Sequence, residues 1–115
     1  MARATRQRLA ARLIANAEQI RGLEREHSEI VAAAQGANGD DEHDPEGATI
    51  GFEREQVAAL LAQAVHTRSE IMQGLGRLDD GCYGICELCQ GDIGIERLEV
   101  RPAARTCISC ASRRR

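Results

Sequence analysis

Two pairs of cysteines near the carboxyl end constrain this 115-residue chain more than any other feature. One C-x-x-C pair is Cys86 with Cys89, the other is Cys107 with Cys110, and seventeen residues separate the two pairs. Each short C-x-x-C turn points its two sulfur atoms the same way, and two such turns at this separation are typical of a tetrathiolate zinc site. Four thiolates complete a tetrahedral coordination shell. The spacing therefore predicts one structural zinc ion rather than a catalytic one.

The alternatives to a metal site are two disulfides or four unrelated thiols in a small core. A fifth cysteine, Cys82, makes the number of cysteines odd, which disfavours a disulfide framework. We expect Cys82 itself to be a packed or partly exposed thiol. With one Phe, one Tyr and no Trp in the whole chain, residues 81–115 could not bury enough apolar surface by themselves. Zinc binding supplies about 10–16 kcal/mol of apparent folding free energy to modules of this size. We therefore expect a separate zinc module over residues 81–115.

The first part of the chain has the pattern of a long helix over residues 4–34. Apolar positions alternate at spacings of four and three, which is the seam of a heptad repeat. Thr5 suits the start of this helix, and Gly36 suits its end. The seam residues are Leu9, Leu13, Asn16, Ile20, Leu23, His27, Ile30 and Ala34. So narrow an apolar stripe requires a partner helix.

A second segment with the same alternation follows a short polar loop. Its seam residues are Ile50, Arg54, Val57, Leu61, Ala64, Arg68, Ile71, Leu75 and Leu78, and Leu60 and Met72 are expected to widen the stripe. Gly81 is a stop signal, whereas Gly74 and Gly76 are expected to weaken the last turns. Two seams of similar length predict an antiparallel coiled-coil hairpin over residues 1–80. An intermolecular coiled coil is the competing interpretation.

The connection between the two helices is strongly acidic. Residues 35–56 contain seven acids and a single arginine, and residues 35–48 form the expected tip loop. An acidic loop is usually no more than a solvated surface. Asp44 also has a local role to play, because Asp is a favoured helix cap and Pro45 suits the first helical position. A carboxylate at a protruding tip nevertheless remains exposed for a second role.

These features together resemble a known family. The zinc segment reads G-x-Y-G-x-C-E-x-C from Gly81 to Cys89, then I-G-I-x-R-L-E-x-R-P from Ile93 to Pro102, and then the second cysteine pair. After a helical hairpin with an acidic tip, this is similar to the DksA/TraR family of bacterial transcription regulators. The fold class implied is mainly α: a long antiparallel coiled-coil hairpin followed by a four-cysteine zinc-finger module with a short terminal helix.

The resemblance also implies a function and a partner. Family members bind RNA polymerase rather than a promoter, and their hairpin enters the secondary channel so that the tip approaches the catalytic region. The implied tip residues here are Asp41, Asp44, Glu46 and Ala48. The tip matches the family's D-x-x-D-x-A pattern only in part. Read forward, Asp41 and Asp44 match its two acids, but Glu46 replaces the Ala. With a one-residue deletion before Glu46, which is the preferred register, Asp44 is the first acid, Glu46 stands for the second Asp and Ala48 matches the Ala.

Some family members act together with guanosine tetraphosphate, and the resemblance implies Arg97 and Arg101 as its ligands. Glu70 and Ala111 stand where better-known members carry Lys. A highly charged anion would be repelled by Glu70 and would lack an ammonium group at Ala111. We therefore expect weak or no binding of this nucleotide.

Other functions fit the sequence less well. An enzyme is not expected, because no nucleophile stands beside a base and the zinc is saturated. The main alternative is a zinc ribbon that binds nucleic acid or another protein without acting in the secondary channel. The chain has arginines that such a ribbon could use, but almost no aromatic side chains for stacking on bases.

We expect a monomer in a reducing cytoplasm, without sequence-specific DNA binding. No secretory signal or bilayer-spanning run is apparent in the sequence.

Overall fold

The protein is mainly helical, as the sequence predicts. The computed structural model describes residues 2–36 and 45–113, with side chains described for residues 2–35 and 48–113. Two long helices, α1 (Ala2–Gly36) and α2 (Pro45–Asp79), are followed by two short ones, α3 (Ile95–Val100) and α4 (Ile108–Arg113). None of the helices in these two ranges combines the length and apolar character that crossing a bilayer requires.

The chain divides into two compact units by its internal contacts. One consists of Met1–Ile14 together with Thr67–Arg115, and the other is Ala15–His66. The first unit thus groups the base of the helical hairpin with the zinc segment. The boundary between residues 80 and 81 that the sequence suggests stays a prediction, because the contacts do not separate the chain at that point.

In the unit Ala15–His66, α1 and α2 pack along the predicted seam. Ile20, Val57 and Ala64 are buried. Asn16 is also buried, and its side-chain amide donates to the carbonyl oxygen of Ala64 at 2.9 Å. Leu60 is 44% exposed, so it does not widen the buried stripe. A single polar group buried at a seam position fixes which residues face one another, which is its best-attested role in coiled coils.

In the other unit, the two helices pair in the antiparallel sense. Leu9 of α1 and Ile71 of α2 are buried, and Arg6 forms an ion pair with Asp79 at 2.8 Å. Met72 is 56% exposed and lies outside this core. Since Arg6 near the start of α1 meets Asp79 at the end of α2, the chain has reversed its direction between the two helices.

Helix α2 ends where Gly81 predicts a stop. The backbone N–H of Gly81 donates to the carbonyl of Leu78, and that of Cys82 donates to the carbonyl of Arg77 at 2.9 Å. These two bonds form a Schellman motif, which requires a left-handed residue, and Gly81 has φ of 74°. The motif turns the chain directly from the helix into the zinc segment.

Gly74 has a role that the sequence analysis did not assign. A Cβ at this position would lie 2.9 Å from the carbonyl oxygen of Pro102 and 3.1 Å from its Cβ. The lack of a side chain therefore lets the loop after α3 lie directly on α2. At Gly76, by contrast, a Cβ would meet nothing within 4 Å, so only the expected loss of helix propensity applies there.

Candidate metal centre

The four predicted cysteines come together in one cluster. The sulfur atoms of Cys86, Cys89, Cys107 and Cys110 all lie within 4.8 Å of one another, and the Cys89 and Cys107 sulfurs are 3.9 Å apart. Zinc–sulfur bonds of about 2.3 Å in a tetrahedron place neighbouring sulfurs about 3.8 Å apart. The observed spacing therefore fits one tetrahedral zinc ion held by four thiolates.

The first cysteine pair lies on a tight turn of the backbone. The N–H of Cys86 donates to the carbonyl of Gly91, and the N–H of Gln90 donates to the carbonyl of Cys86. Gln90 has φ of 64°, which lets the chain double back within these few residues. The N–H of Gly91 in turn points at the Cys89 sulfur, 3.4 Å away. Such N–H donors stabilise a thiolate.

The second pair belongs to the start of α4. Cys107 immediately precedes this helix and Cys110 lies within it, with the Ala111 N–H donating to the Cys107 carbonyl at 2.9 Å. Cys86 is fully buried and Cys110 nearly so, and both pack with Ile93 and Leu98 in the core of the zinc segment. Two of the four predicted metal ligands are therefore also part of the hydrophobic core of the zinc segment.

The surroundings of the thiols shift their acidities in opposite directions. Backbone N–H groups of Cys89 and Cys107 lower the pKa of Cys86 to about 6. Hydrogen bonds with the side chains of Cys107 and Cys86 raise the pKa of Cys110 to about 12. Hydrogen bonds with Cys110 lower the pKa of Cys107 as well, but thiolates brought this close together repel one another. A divalent cation at the centre would neutralise this repulsion and allow four thiolates.

Charged side chains connect the two cysteine pairs from outside. Glu87, within the first pair, accepts a hydrogen bond from the Arg105 guanidinium at 2.6 Å, and the Glu87 N–H donates to the Arg105 carbonyl at 2.9 Å. The bond to Glu87 raises the pKa of Arg105. Glu87 also has a cationic neighbour in α2, because Arg77 Nη1 lies 3.6 Å from Glu87 Oε1. The Arg77 guanidinium also donates to the Cys82 carbonyl at 3.1 Å. Sequence analysis did not identify this chain of contacts.

Comparison with known proteins agrees with this geometry. Residues 81–115 match the family model of the prokaryotic dksA/traR C4-type zinc finger. Residues 81–115 carry the zinc finger of the DksA/TraR family. The four clustered cysteines are therefore the metal-holding set of a zinc finger.

Relatives extend the similarity beyond the zinc finger. A Bacillus subtilis protein named YteA is 40% identical over 73 residues, which is 63% of this chain and 30% of YteA. The RNA polymerase-binding transcription factor DksA of Escherichia coli is 46% identical over 41 residues, which is 36% of this chain and 27% of that protein. The chain thus spans less than a third of the length of these curated relatives.

A solved structure covers nearly the whole chain. Transcription factor DksA2 from Pseudomonas aeruginosa aligns with 98% of this chain and 76% of its own, with a TM-score of 0.55 and 29% sequence identity. The DksA-like arrangement of a helical hairpin followed by a zinc finger therefore extends through both long helices.

The two arginines predicted from the sequence as nucleotide ligands are engaged within the protein. Arg97 donates from Nε to the carbonyl of Thr106 at 2.9 Å. Arg101 lies against Glu70, with its Nη2 3.0 Å from Glu70 Oε1. Glu70 is only 7% exposed, and its second oxygen accepts the N–H of Ala103 at 2.9 Å. The Glu70 carboxylate therefore binds two residues of the loop after α3 and holds this loop on α2, in addition to contributing a negative charge.

The predicted tip residues lie largely outside the described part of the chain. Asp41 and Asp44 are not among the described residues, and Glu46 is described only through its backbone in α2. Ala48 lies in the first turns of α2 and is exposed. The start of α2 at Pro45 agrees with the predicted Asp-Pro helix start, whereas the choice between the two tip registers stays a prediction.

Proposed function

We propose that this protein is a non-enzymatic transcription regulator that binds RNA polymerase and inserts the tip of its α1–α2 hairpin into the secondary channel. The observation that carries the proposal is the pairing of a DksA/TraR zinc finger with a hairpin similar to DksA2 over 98% of the chain. A named relative, the DksA of Escherichia coli, is an RNA polymerase-binding transcription factor.

Under this proposal the two ends of the hairpin have different tasks. Zinc, when bound, cross-links the two cysteine pairs with a closed shell and supplies no reaction. The contacts of Glu70, Arg77 and Gly74 hold the zinc finger on the end of α2. The acidic segment around Asp41, Asp44 and Glu46 would meet cationic or magnesium-containing surroundings in the polymerase. Preferential contact with one polymerase conformation would shift the equilibrium toward it.

Substitution at the tip tests this division of tasks. The double variant Asp44→Ala with Glu46→Ala should bind polymerase with the affinity of the parent but lose its effect on the lifetime of promoter complexes. The matched control is Glu53→Ala with Glu55→Ala, which removes the same charge from two exposed positions further along α2. A tip variant that regulates like the parent would contradict the proposed role of these carboxylates.

We further infer that guanosine tetraphosphate binds this protein weakly or not at all. The Glu70 carboxylate already neutralises Arg101, and a phosphate arriving there would have to displace it or bind beside it. Glu70 cannot leave without uncovering the buried N–H of Ala103. Calorimetry on the complex with polymerase should detect no tight binding. Tight binding that is lost in Arg101→Ala would overturn this inference.

The alternative, a zinc ribbon that binds nucleic acid, receives less support. Three of the arginines that would form its basic surface are occupied: Arg97 by Thr106, Arg101 by Glu70 and Arg105 by Glu87. Binding to phosphates would compete with these contacts. We propose instead a monomer that works in the cytoplasm through polymerase. DNA retardation by the zinc-loaded full chain that weakens steeply with added salt would favour the alternative.

A further inference from the structure

A groove lies between the beginning of α1 and the zinc finger, within the unit that contains both. Its volume is about 430 Å³, which is within the range of about 300–1,000 Å³ found for small-molecule sites. Three leucines contribute buried or half-buried apolar surface: Leu9 of α1, Leu78 of α2 and Leu98 of α3. Ile85 and Ile95 also line the groove and are 39% and 60% exposed. An apolar surface of this kind is available to a ligand.

Two arginines line the same groove, and neither has a partner in the part of the chain that the structure describes. Arg8 and Arg12 are one helical turn apart on α1, so their side chains share a face of the helix. Within residues 2–36 and 45–113, neither guanidinium has a hydrogen bond or an ion pair. Arg12 is nevertheless half-buried. A guanidinium without an acceptor, on a side chain that is partly packed against the groove, favours the arrival of an anion.

Tyr83 adds a hydroxyl group to the groove that Arg8 and Arg12 line. Its ring packs against the core of the zinc finger, and the residue lines the groove. Burial raises the pKa of Tyr83, while Arg8 and Arg12 act in the opposite direction. Arg8, Arg12 and Tyr83 all line the groove, so this part of its wall contains three side chains that can donate hydrogen bonds.

Two carboxylates limit the charge that a ligand can carry. Asp92 and Glu99 line the groove, and in the described part of the chain neither side chain pairs with a cation. Their charges balance those of Arg8 and Arg12. A multiply charged phosphate would meet both signs, whereas a single carboxylate can lie beside the arginines alone.

We propose that this groove binds a small amphipathic carboxylate, with its head group on Arg8, Arg12 and Tyr83 and an aliphatic body on Leu9, Leu78 and Leu98. The groove is distinct from the positions of Arg97 and Arg101, neither of which lines it. The ligand class follows from the combination of two guanidiniums that have no partner among the described residues, a net charge of zero around the groove and an apolar surface.

The composition of the chain provides a direct probe. Tyr83 is the single tyrosine and there is no tryptophan, so intrinsic fluorescence reports the groove itself. The zinc-loaded full chain would be titrated with decanoate below its micelle threshold, and separately with decanol and with tripolyphosphate. Decanoate should give a saturable change in Tyr83 fluorescence, with an affinity at least tenfold above that of either comparison compound.

A pair of matched variants locates the head group. Arg12→Gln should weaken decanoate binding about tenfold, as expected for the loss of one charge-assisted hydrogen bond. Arg3→Gln removes the same charge from an exposed position of α1 outside the groove and should leave the affinity unchanged. No saturable response to decanoate, equal losses in both variants, or decanol or tripolyphosphate binding as tightly as decanoate would each overturn the proposal. The comparison of the three compounds on the parent chain remains decisive even if Arg12→Gln fails to fold.

Discussion

The carboxylate of Glu70 holds the backbone of Ala103: Oε2 accepts the Ala103 N–H at 2.9 Å, while Oε1 accepts the guanidinium of Arg101. Glu70 belongs to α2, and the other two residues follow α3. One side chain thereby fixes the loop between the two short helices of the zinc finger to the end of the hairpin. The backbone contact is buried, so water cannot replace it at low cost.

The first prediction concerns the stability of this attachment. Glu70→Ala leaves the buried Ala103 N–H without an acceptor and should lower the free energy of unfolding by about 1–3 kcal/mol. Glu96→Ala, at an exposed position in the first turn of α3, is the matched control and should change it by less than about 0.5 kcal/mol. Chemical denaturation of the zinc-loaded chain measures both. Equal effects of the two substitutions would mean that the Glu70 contact is not an anchor.

The second prediction uses two glycines of the same helix. Gly74→Ala would force a Cβ against the Pro102 carbonyl oxygen at 2.9 Å, so we expect a loss of about 1–3 kcal/mol in unfolding free energy. Gly76→Ala meets nothing within 4 Å and should instead gain up to about 1 kcal/mol from helix propensity. Thermal unfolding of the two variants should therefore shift in opposite directions, and shifts of the same sign would contradict the close approach at Gly74.

The third prediction separates the fifth cysteine from the other four. Cys86→Ser removes a fully buried sulfur of the cluster and should abolish stoichiometric zinc and the folding of the zinc finger. Cys82→Ser should retain one zinc ion per chain, because Cys82 is not among the clustered sulfurs. Metal analysis after dialysis, together with circular dichroism, measures both properties. Loss of zinc from Cys82→Ser would show that the ligand set is incomplete.

The fourth prediction concerns the buried amide of the hairpin. Asn16 donates to the Ala64 carbonyl, but its own Oδ1 is buried without a partner in the described structure. Asn16→Leu removes this cost and should raise the free energy of unfolding by about 1 kcal/mol. Gln19→Leu makes a similar change at an exposed position of α1 and should have little effect. A decrease in stability for Asn16→Leu would mean that the hydrogen bond outweighs the unpaired oxygen.

Much of the fold follows from local patterns in the sequence. The heptad spacing correctly predicts the two long helices, because burial of one stripe requires a partner with the same period. Gly81 correctly predicts the end of α2, since a Schellman motif needs a left-handed residue. The cysteine spacing predicts the cluster because four sulfurs around one ion leave few alternative geometries.

The missed features depend on contacts between residues distant in sequence. Gly74 appears from the sequence to weaken a helix, and only the approach of Pro102 explains it. Glu70 appears as a charge that repels an anion, whereas the structure adds its bond to Ala103, 33 residues away. The sequence alone does not distinguish Gly74 from Gly76, where a Cβ would meet nothing within 4 Å. The glycine does not indicate which residue will be its neighbour.

Competition for core RNA polymerase tests the central claim most directly. The zinc-loaded chain, carrying a fluorescent label, would be bound to polymerase and challenged with an unlabelled protein known to occupy the secondary channel. The account predicts saturable binding and complete displacement by the competitor. Binding that the competitor does not displace would contradict insertion into the channel, and the absence of binding would contradict the proposal that polymerase is the partner.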